Sequence, residues 1–331
     1  MLLTPVSLEE LAGLLADAHA GRRPVARVDL SALAALREHT PEDMTVTVEG
    51  GMNLAELEAR LAARGQWLPI DPPHPERLTI RQLLAENLSG PRRCGFGTIR
   101  EHLIGLEAVL ADGRIIHSGG KVVKNVAGYD LLKLLVGACD SLGIITAATF
   151  KLRPLPAAEA FASMSFGSLP EAMTLVEAVL ASALTPVALD LDNLQLSPGG
   201  PFQFTVFIAF AGSTEEVAWQ RAEAVKLGFP AASAVRAPAD NPATPLAPLP
   251  RSSAFWSNSA SPVSHCSVLP SNLAAALAPL GQTPFIARAA NGVFYHRSPA
   301  AFPAVAAPAS QLARRLKDTF DPHHILPELT L

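Results

Sequence analysis

The stretch Gly119-Gly120-Lys121-Val122-Val123-Lys124-Asn125-Val126-Ala127-Gly128-Tyr129-Asp130 concentrates the groups best able to hold a ligand. Two glycines leave the backbone bare, and an amide, a phenol and a carboxylate follow within a few residues. Such a loop brings main-chain groups close to a ligand and rings it with hydrogen-bonding side chains. The plainer reading of the same residues is a polar turn capping the helix expected from Tyr129 to Val136. Two further segments have comparable chemistry. Asp71-Pro72-Pro73-His74 precedes Thr79, and Ser89-Gly90-Pro91-Arg92-Arg93 runs into Gly95-Phe96-Gly97. Arg92 or Arg93 suits an anionic group, since guanidinium forks match carboxylate and phosphate oxygens; both also suit a solvated proline turn.

The elements that must position these residues are legible from caps, periodicity and turns. Ser7-Leu8-Glu9-Glu10 has capping-box spacing ahead of Leu8, Leu11 and Leu15 on one helical face. Met44 to Glu49 alternates as a strand, and Asn53 then caps a helix with Leu54, Leu57 and Leu61 inward and Gly65 at its end. Asp112-Gly113 joins Glu107–Leu110 to Arg114–His117 as a hairpin. Ile144 to Leu152 forms a strand that stops at Arg153-Pro154-Leu155-Pro156, the best domain boundary. Beyond it, Phe202, Phe204, Val206, Ile208 and Phe210 alternate as a strand, and Ser213 opens a helix ending at Gly228. Ala237 to Pro250 reads as a Pro/Ala-rich loop, Asn291-Gly292 as a second hairpin turn, and Gln311 to Phe320 as a final helix. Mixed strands and helices in both halves predict α+β domains with largely antiparallel sheets, residues 1–156 and 157–331.

Bulk properties remove several function classes. The chain has 331 residues, 49% hydrophobic and 17% charged, which supports two packed domains rather than a disordered chain. A net charge of −4 offers no basic field for nucleic acid. Cys94, Cys139 and Cys266 are far apart, too few to ligate an iron–sulfur cluster alone, and Cys139 reads as a small buried side chain. His323-His324 reads as a solvated pair, so no metal is expected. The start, Met1-Leu2-Leu3-Thr4-Pro5, runs into acidic residues and reads as a helix start rather than a signal peptide. The expectation is a cytoplasmic chain, peripheral at the inner membrane only through partners.

The run Lys124 to Asp130 resembles the Lys-Asn-Val-Ala-Gly-Tyr-Asp signature of vanillyl-alcohol-oxidase-type FAD-dependent oxidases, and most nearly that of the FAD-binding subunit of bacterial glycolate oxidase complexes. The resemblance is close from about Asp29 to Pro156. It implies a two-subdomain, PCMH-type FAD-binding domain, shortened at its N-terminus, followed by a smaller α+β cap domain. It implies FAD, with Asn125 and Gly128 near the flavin ring and Tyr129 bracing the turn. Asp71, Pro72, Ser89, Gly90, Arg92 and Gly97 fall on the family's other flavin-contact loops, and Ile144 and Ile145 on a strand whose backbone meets the cofactor. It further implies a hetero-oligomer with a larger catalytic flavoprotein and an iron–sulfur subunit, oxidising glycolate or a related 2-hydroxy acid. No catalytic base stands out; His74 is the nearest candidate.

Three stretches differ from the family pattern. His19 to Pro24 runs almost directly into Val28-Asp29-Leu30, leaving no room for a glycine-rich pyrophosphate loop of the kind whose N–H groups cradle phosphate. Arg81-Gln82 replaces a glycine pair, and Phe320-Asp321-Pro322-His323-His324 is not followed by the usual Asn-Pro-Gly. Two functions therefore stand beside each other: an FAD-binding oxidoreductase subunit, and a degenerate, non-catalytic subunit that keeps the fold for assembly.

Overall fold

The computed structural model describes residues 1–120, 132–195, 200–231, 234–236, 255–256, 263–297 and 309–329. The chain divides into two compact units. One comprises Met1–Ser89, Thr98–Leu155 and Pro303–Leu331, the other Gly90–Gly97 and Pro156–Phe302. Each half of the sequence thus sends a segment to the opposite unit, a grouping that a contiguous division at Pro156 does not anticipate.

In the first unit, α1 (Leu8–Ala20) starts where the Ser7 side chain accepts the Glu10 amide at 3.1 Å. Its Leu11 and Leu15 are fully buried, as their spacing requires. A five-stranded antiparallel sheet follows, built from β1 (Leu36–Thr40), β2 (Thr45–Glu49), β3 (Leu103–Val109), β4 (Ile115–Gly119) and β5 (Ile144–Lys151). Its order is β1-β2-β5-β3-β4, so β5 lies central. Helix α2 (Leu54–Ala62) is capped by Asn53, which accepts the Glu56 amide at 3.2 Å and donates to the Glu76 carbonyl at 2.9 Å. Helix α3 (Ile80–Ala85) has a complete capping box between Thr79 and Gln82. Both helices press leucines onto a core shared with Val46, Val48 and Phe150 of the sheet. The helix Ala309–Phe320 adds Leu316 and Phe320 to the same core.

The second unit is a seven-stranded antiparallel sheet of β6 (Ala158–Phe166), β7 (Ala188–Asp192), β8 (Phe204–Gly212), β9 (Ala234–Arg236), β10 (Ser264–Ser267), β11 (Phe285–Arg288) and β12 (Val293–His296). Its order is β9-β6-β8-β7-β11-β12-β10. Alternation in β8 sends Phe204, Val206, Ile208 and Phe210 to one face, where α4 (Leu169–Ala181) and α5 (Thr214–Lys226) cover them. Phe207 and Ala209 turn to the other face, against Phe96, Phe161 and Val187. Helix α4 escaped the periodicity reading although Ser168 and Glu171 form its start, with the Glu171 amide 3.4 Å from Ser168 Oγ. Both sheets are antiparallel and mixed with helices, which makes the fold the α+β class expected. The expected loop Ala237 to Pro250 lies outside the described residues.

Candidate functional site

Lys124, Asn125, Gly128, Tyr129 and Asp130 lie outside the described residues, but the frame that presents their loop does not. Strand β4 ends with Gly119 opposite Gly105 of β3, and the Gly120 amide donates to the Ile104 carbonyl at 2.8 Å. Gly120 sits at φ +158°, and among the described residues no atom lies within 4 Å of a Cβ added there. This backbone is therefore open on one side, the condition for close approach by a planar group. Ile144 and Ile145 of β5 are each 1% exposed, and their backbones pair with Val109 and Ala108 of β3. Their side chains belong to the core.

Asp71 is half-buried and Pro72 buried in the loop ahead of Thr79. His74 there has φ +55°, and its Nδ1 lies 3.3 Å from Glu76 Oε1. Ser89 is buried at the end of its segment of the first unit. Gly90, Arg92 and Gly97 belong to the second unit, where the Gly97 amide donates to the Arg93 carbonyl at 3.0 Å. Arg92 and Arg93 each suit either an external anion or a solvated turn. For Arg92 the structure supplies an anion from the same unit: Nε and Nη2 donate to Glu159 Oε1 at 2.9 and 2.6 Å, with side-chain exposures of 1% and 3%. A guanidinium that is this desolvated requires a carboxylate beside it.

At the turn where β2 passes into α2 the chain's own atoms crowd closely. The amides of Gly50, Gly51 and Met52 donate to Thr146, Leu33 and Glu49 carbonyls at 2.7, 2.9 and 3.1 Å. A Cβ on Gly51 would lie 1.9 Å from the Leu30 carbonyl oxygen, so this glycine admits the chain itself. Arg81 flanks the turn. Its Nη1 donates to Asp140 Oδ2 and its Nη2 to the Val28 carbonyl at 3.0 Å. Gln82 is spent on the α3 capping box. Asp140 has φ +61° and follows Cys139 at φ +49°, conformations that L-residues seldom adopt. Burial raises the Asp140 carboxyl pKa, Arg81 opposes that rise and Glu86 adds to it. Cys139 is exposed, not buried as its size suggested, because the left-handed turn points it outward.

Burial also raises the Cys139 thiol, but Cys94, in the second unit, is half-buried and shifted further. Burial, helped by Asp190, pushes its thiol up to about 11. At about pH 8 such a thiol is roughly one part in a thousand thiolate, the reactive form. Brief iodoacetamide treatment of the native protein should therefore label Cys139 well before Cys94, and peptide mass mapping checks the order. Preferential labelling of Cys94 would contradict its placement.

Residues 12–119 match the family described as FAD binding domain. The chain is 36% identical over 149 residues to glycolate oxidase subunit GlcD of Bacillus subtilis, covering 45% of this chain and 32% of that protein. It is 37% identical over 139 residues to glycolate oxidase subunit GlcE of Escherichia coli, covering 41% and 40%. A D-lactate dehydrogenase of Archaeoglobus fulgidus is 44% identical over 142 residues, covering 42% and 31%. The chain therefore spans between about a third and two fifths of these relatives' lengths. In fold it is similar to an alkyldihydroxyacetonephosphate synthase, with a TM-score of 0.71 at 17% identity, covering 98% of this chain and 76% of that one.

FAD is the cofactor of this domain family, and the described residues suit it unevenly. The bare backbone at Gly120 suits a planar ring. A diphosphate needs unspent N–H groups or free cations, and the turn with the glycine pair has neither. Its three amides are bonded within the chain, and Arg81 is tied to Asp140 and Val28. The donor set at that turn does not fit a diphosphate.

Proposed function

We propose that this chain is a subunit of an FAD-linked oxidoreductase that oxidises glycolate or a related 2-hydroxy acid to the 2-oxo acid. Its electrons pass to a partner, for which an iron–sulfur subunit and a larger catalytic flavoprotein are the natural candidates. The observation that carries this reading is the shared sequence with two glycolate oxidase subunits at 36% and 37% identity, together with the FAD binding domain match. The similarity to a D-lactate dehydrogenase widens the substrate to 2-hydroxy acids as a class. Among the described residues no helix is long and apolar enough to cross a membrane. The site residues proposed toward the cofactor are Asp71, Pro72, Ser89, Gly90, Gly97, Asn125, Gly128, Tyr129, Ile144 and Ile145; Arg92 is engaged by Glu159.

A second reading has two specific observations in its favour. The Arg81–Asp140 pair and the self-bonded Gly50–Met52 turn favour a subunit that keeps the fold for assembly and leaves FAD to its partner. Titrating the purified chain with FAD separates the two. Saturable, near-stoichiometric binding that Gly128→Trp abolishes supports the first. A chain that takes up no FAD, yet co-purifies with a larger flavoprotein, supports the second.

A further inference from the structure

The strongest unassigned feature is a cation in the second unit. Arg288, at the end of β11, is 2% exposed, and its Nη1 donates to Asp190 Oδ2 on the neighbouring β7. Asp190 thereby fixes one corner of the guanidinium. Among the described residues the buried Nε has no hydrogen-bond partner and no acceptor meets Nη2. The unengaged Nε–Nη2 edge is the fork that grips a carboxylate through two parallel hydrogen bonds. A buried, charged N–H left without an acceptor is costly, so a native structure that keeps one needs an occupant for it.

The surroundings define that occupant. The guanidinium carbon lies 5.9 Å from the centre of the Tyr295 ring on β12. Tyr295 is itself bracketed by His265 on β10, at 5.2 Å between ring centres, and Trp256 at 4.9 Å. Partial desolvation, then the nearby Arg93 cation, lower the His265 pKa and favour its neutral imidazole. The acids on this face are otherwise occupied: Asp190 by Arg288, and Asp192 by the Leu194 amide at 3.1 Å. A pinned cation edge, aromatic walls and a neutral imidazole suit a small organic acid, its carboxylate on Arg288 and a neutral hydroxyl or carbonyl near His265.

We infer that Arg288, oriented by Asp190 and flanked by Tyr295 with His265 beyond that ring, is a carboxylate-recognition site for a small 2-hydroxy or 2-oxo acid. Identifying the acid as 2-hydroxy or 2-oxo rests on the proposed function; the carboxylate site does not.

Calorimetric titration of the full chain tests it, with sodium glycolate, glyoxylate and D-lactate beside glycolamide and inorganic phosphate. The three acids should bind saturably, and glycolamide at least about tenfold more weakly, since it lacks the charge the fork requires. Arg288→Lys keeps a cation for Asp190 but loses the planar fork, and should weaken glycolate binding at least about tenfold. If that variant is poorly folded, Arg288→Gln combined with Asp190→Asn removes both charges together and should abolish binding with the melting transition retained. Unchanged glycolate affinity in either folded variant would overturn the site. So would equal binding of glycolamide or phosphate, or no binding of any acid. Acid binding that depends on Arg288 without any flavin reduction would uphold the site while removing the oxidoreductase reading.

Discussion

Arg92→Met should destabilise the second unit by about 3–5 kcal/mol, because it strands the carboxylate of Glu159 in the interior. Both side chains are almost fully enclosed, at 1% and 3% exposure. The contrast with solvent-exposed pairs is one of magnitude: a pair such as Arg60–Glu56, half exposed on α2, is worth well under about 1 kcal/mol. For a unit of this size the melting transition should fall by roughly 2–4 °C per kcal/mol lost. Removing both charges as Arg92→Met with Glu159→Leu should recover most of the loss, since an apolar replacement of a buried pair is often neutral or better. The result bears on function. An Arg92 that bound a ligand's phosphate would, when replaced, weaken FAD or substrate binding and leave melting untouched. Melting that stays unchanged in Arg92→Met would contradict the structural role.

Lys317→Met should destabilise the first unit on the same scale, about 3–5 kcal/mol. Lys317 Nζ donates to Asp321 Oδ2 at 2.7 Å and to the carbonyls of Ser141, Leu326 and Pro327 at 2.9, 3.1 and 2.8 Å. Asp321 in turn accepts the amides of Ile325 and Leu326 at 3.0 and 2.8 Å. Lysine and aspartate are 2% and 0% exposed, so removing the cation leaves a buried anion and several buried carbonyls uncompensated. The ammonium ties the C-terminal segment to the turn that holds Cys139 and Asp140, so its loss should loosen both. Hydrogen exchange at Ile325 and Leu326 should accelerate together with the fall in melting temperature. Unchanged exchange at those amides would show that the network does not hold the segment.

Local chemistry was legible in the sequence. Ser7, Asn53 and Ser213 cap helices as their spacing predicts, and Asp112-Gly113 and Asn291-Gly292 turn hairpins. Each depends on neighbours a few residues away, where a side chain's reach limits the alternatives. Partnerships across the fold were not legible. Glu159 is 67 residues from Arg92, Asp140 is 59 from Arg81, and Ser141 is 176 from Lys317. Nothing local marks a charge that will be buried, so Arg92 read as solvated or ligand-facing. Arg288 carried no signal at all: it ends an ordinary apolar strand, and only the register β7–β11 brings Asp190 beside it. Cys139 misled through composition, since a small apolar residue usually turns inward and here a left-handed backbone turns it out. For the candidate site, the motif named the family's cofactor, while the consequence of Arg81 emerged only from the bonds it makes.

Anaerobic titration of the FAD-loaded protein with glycolate, followed by the visible absorption of the flavin, tests the central proposal most directly. The account predicts that the band bleaches on adding glycolate or D-lactate, that glyoxylate or pyruvate appears in matching amount, and that an electron acceptor restores the colour. A protein that takes up no FAD, or whose flavin stays oxidised with every 2-hydroxy acid offered, would contradict it.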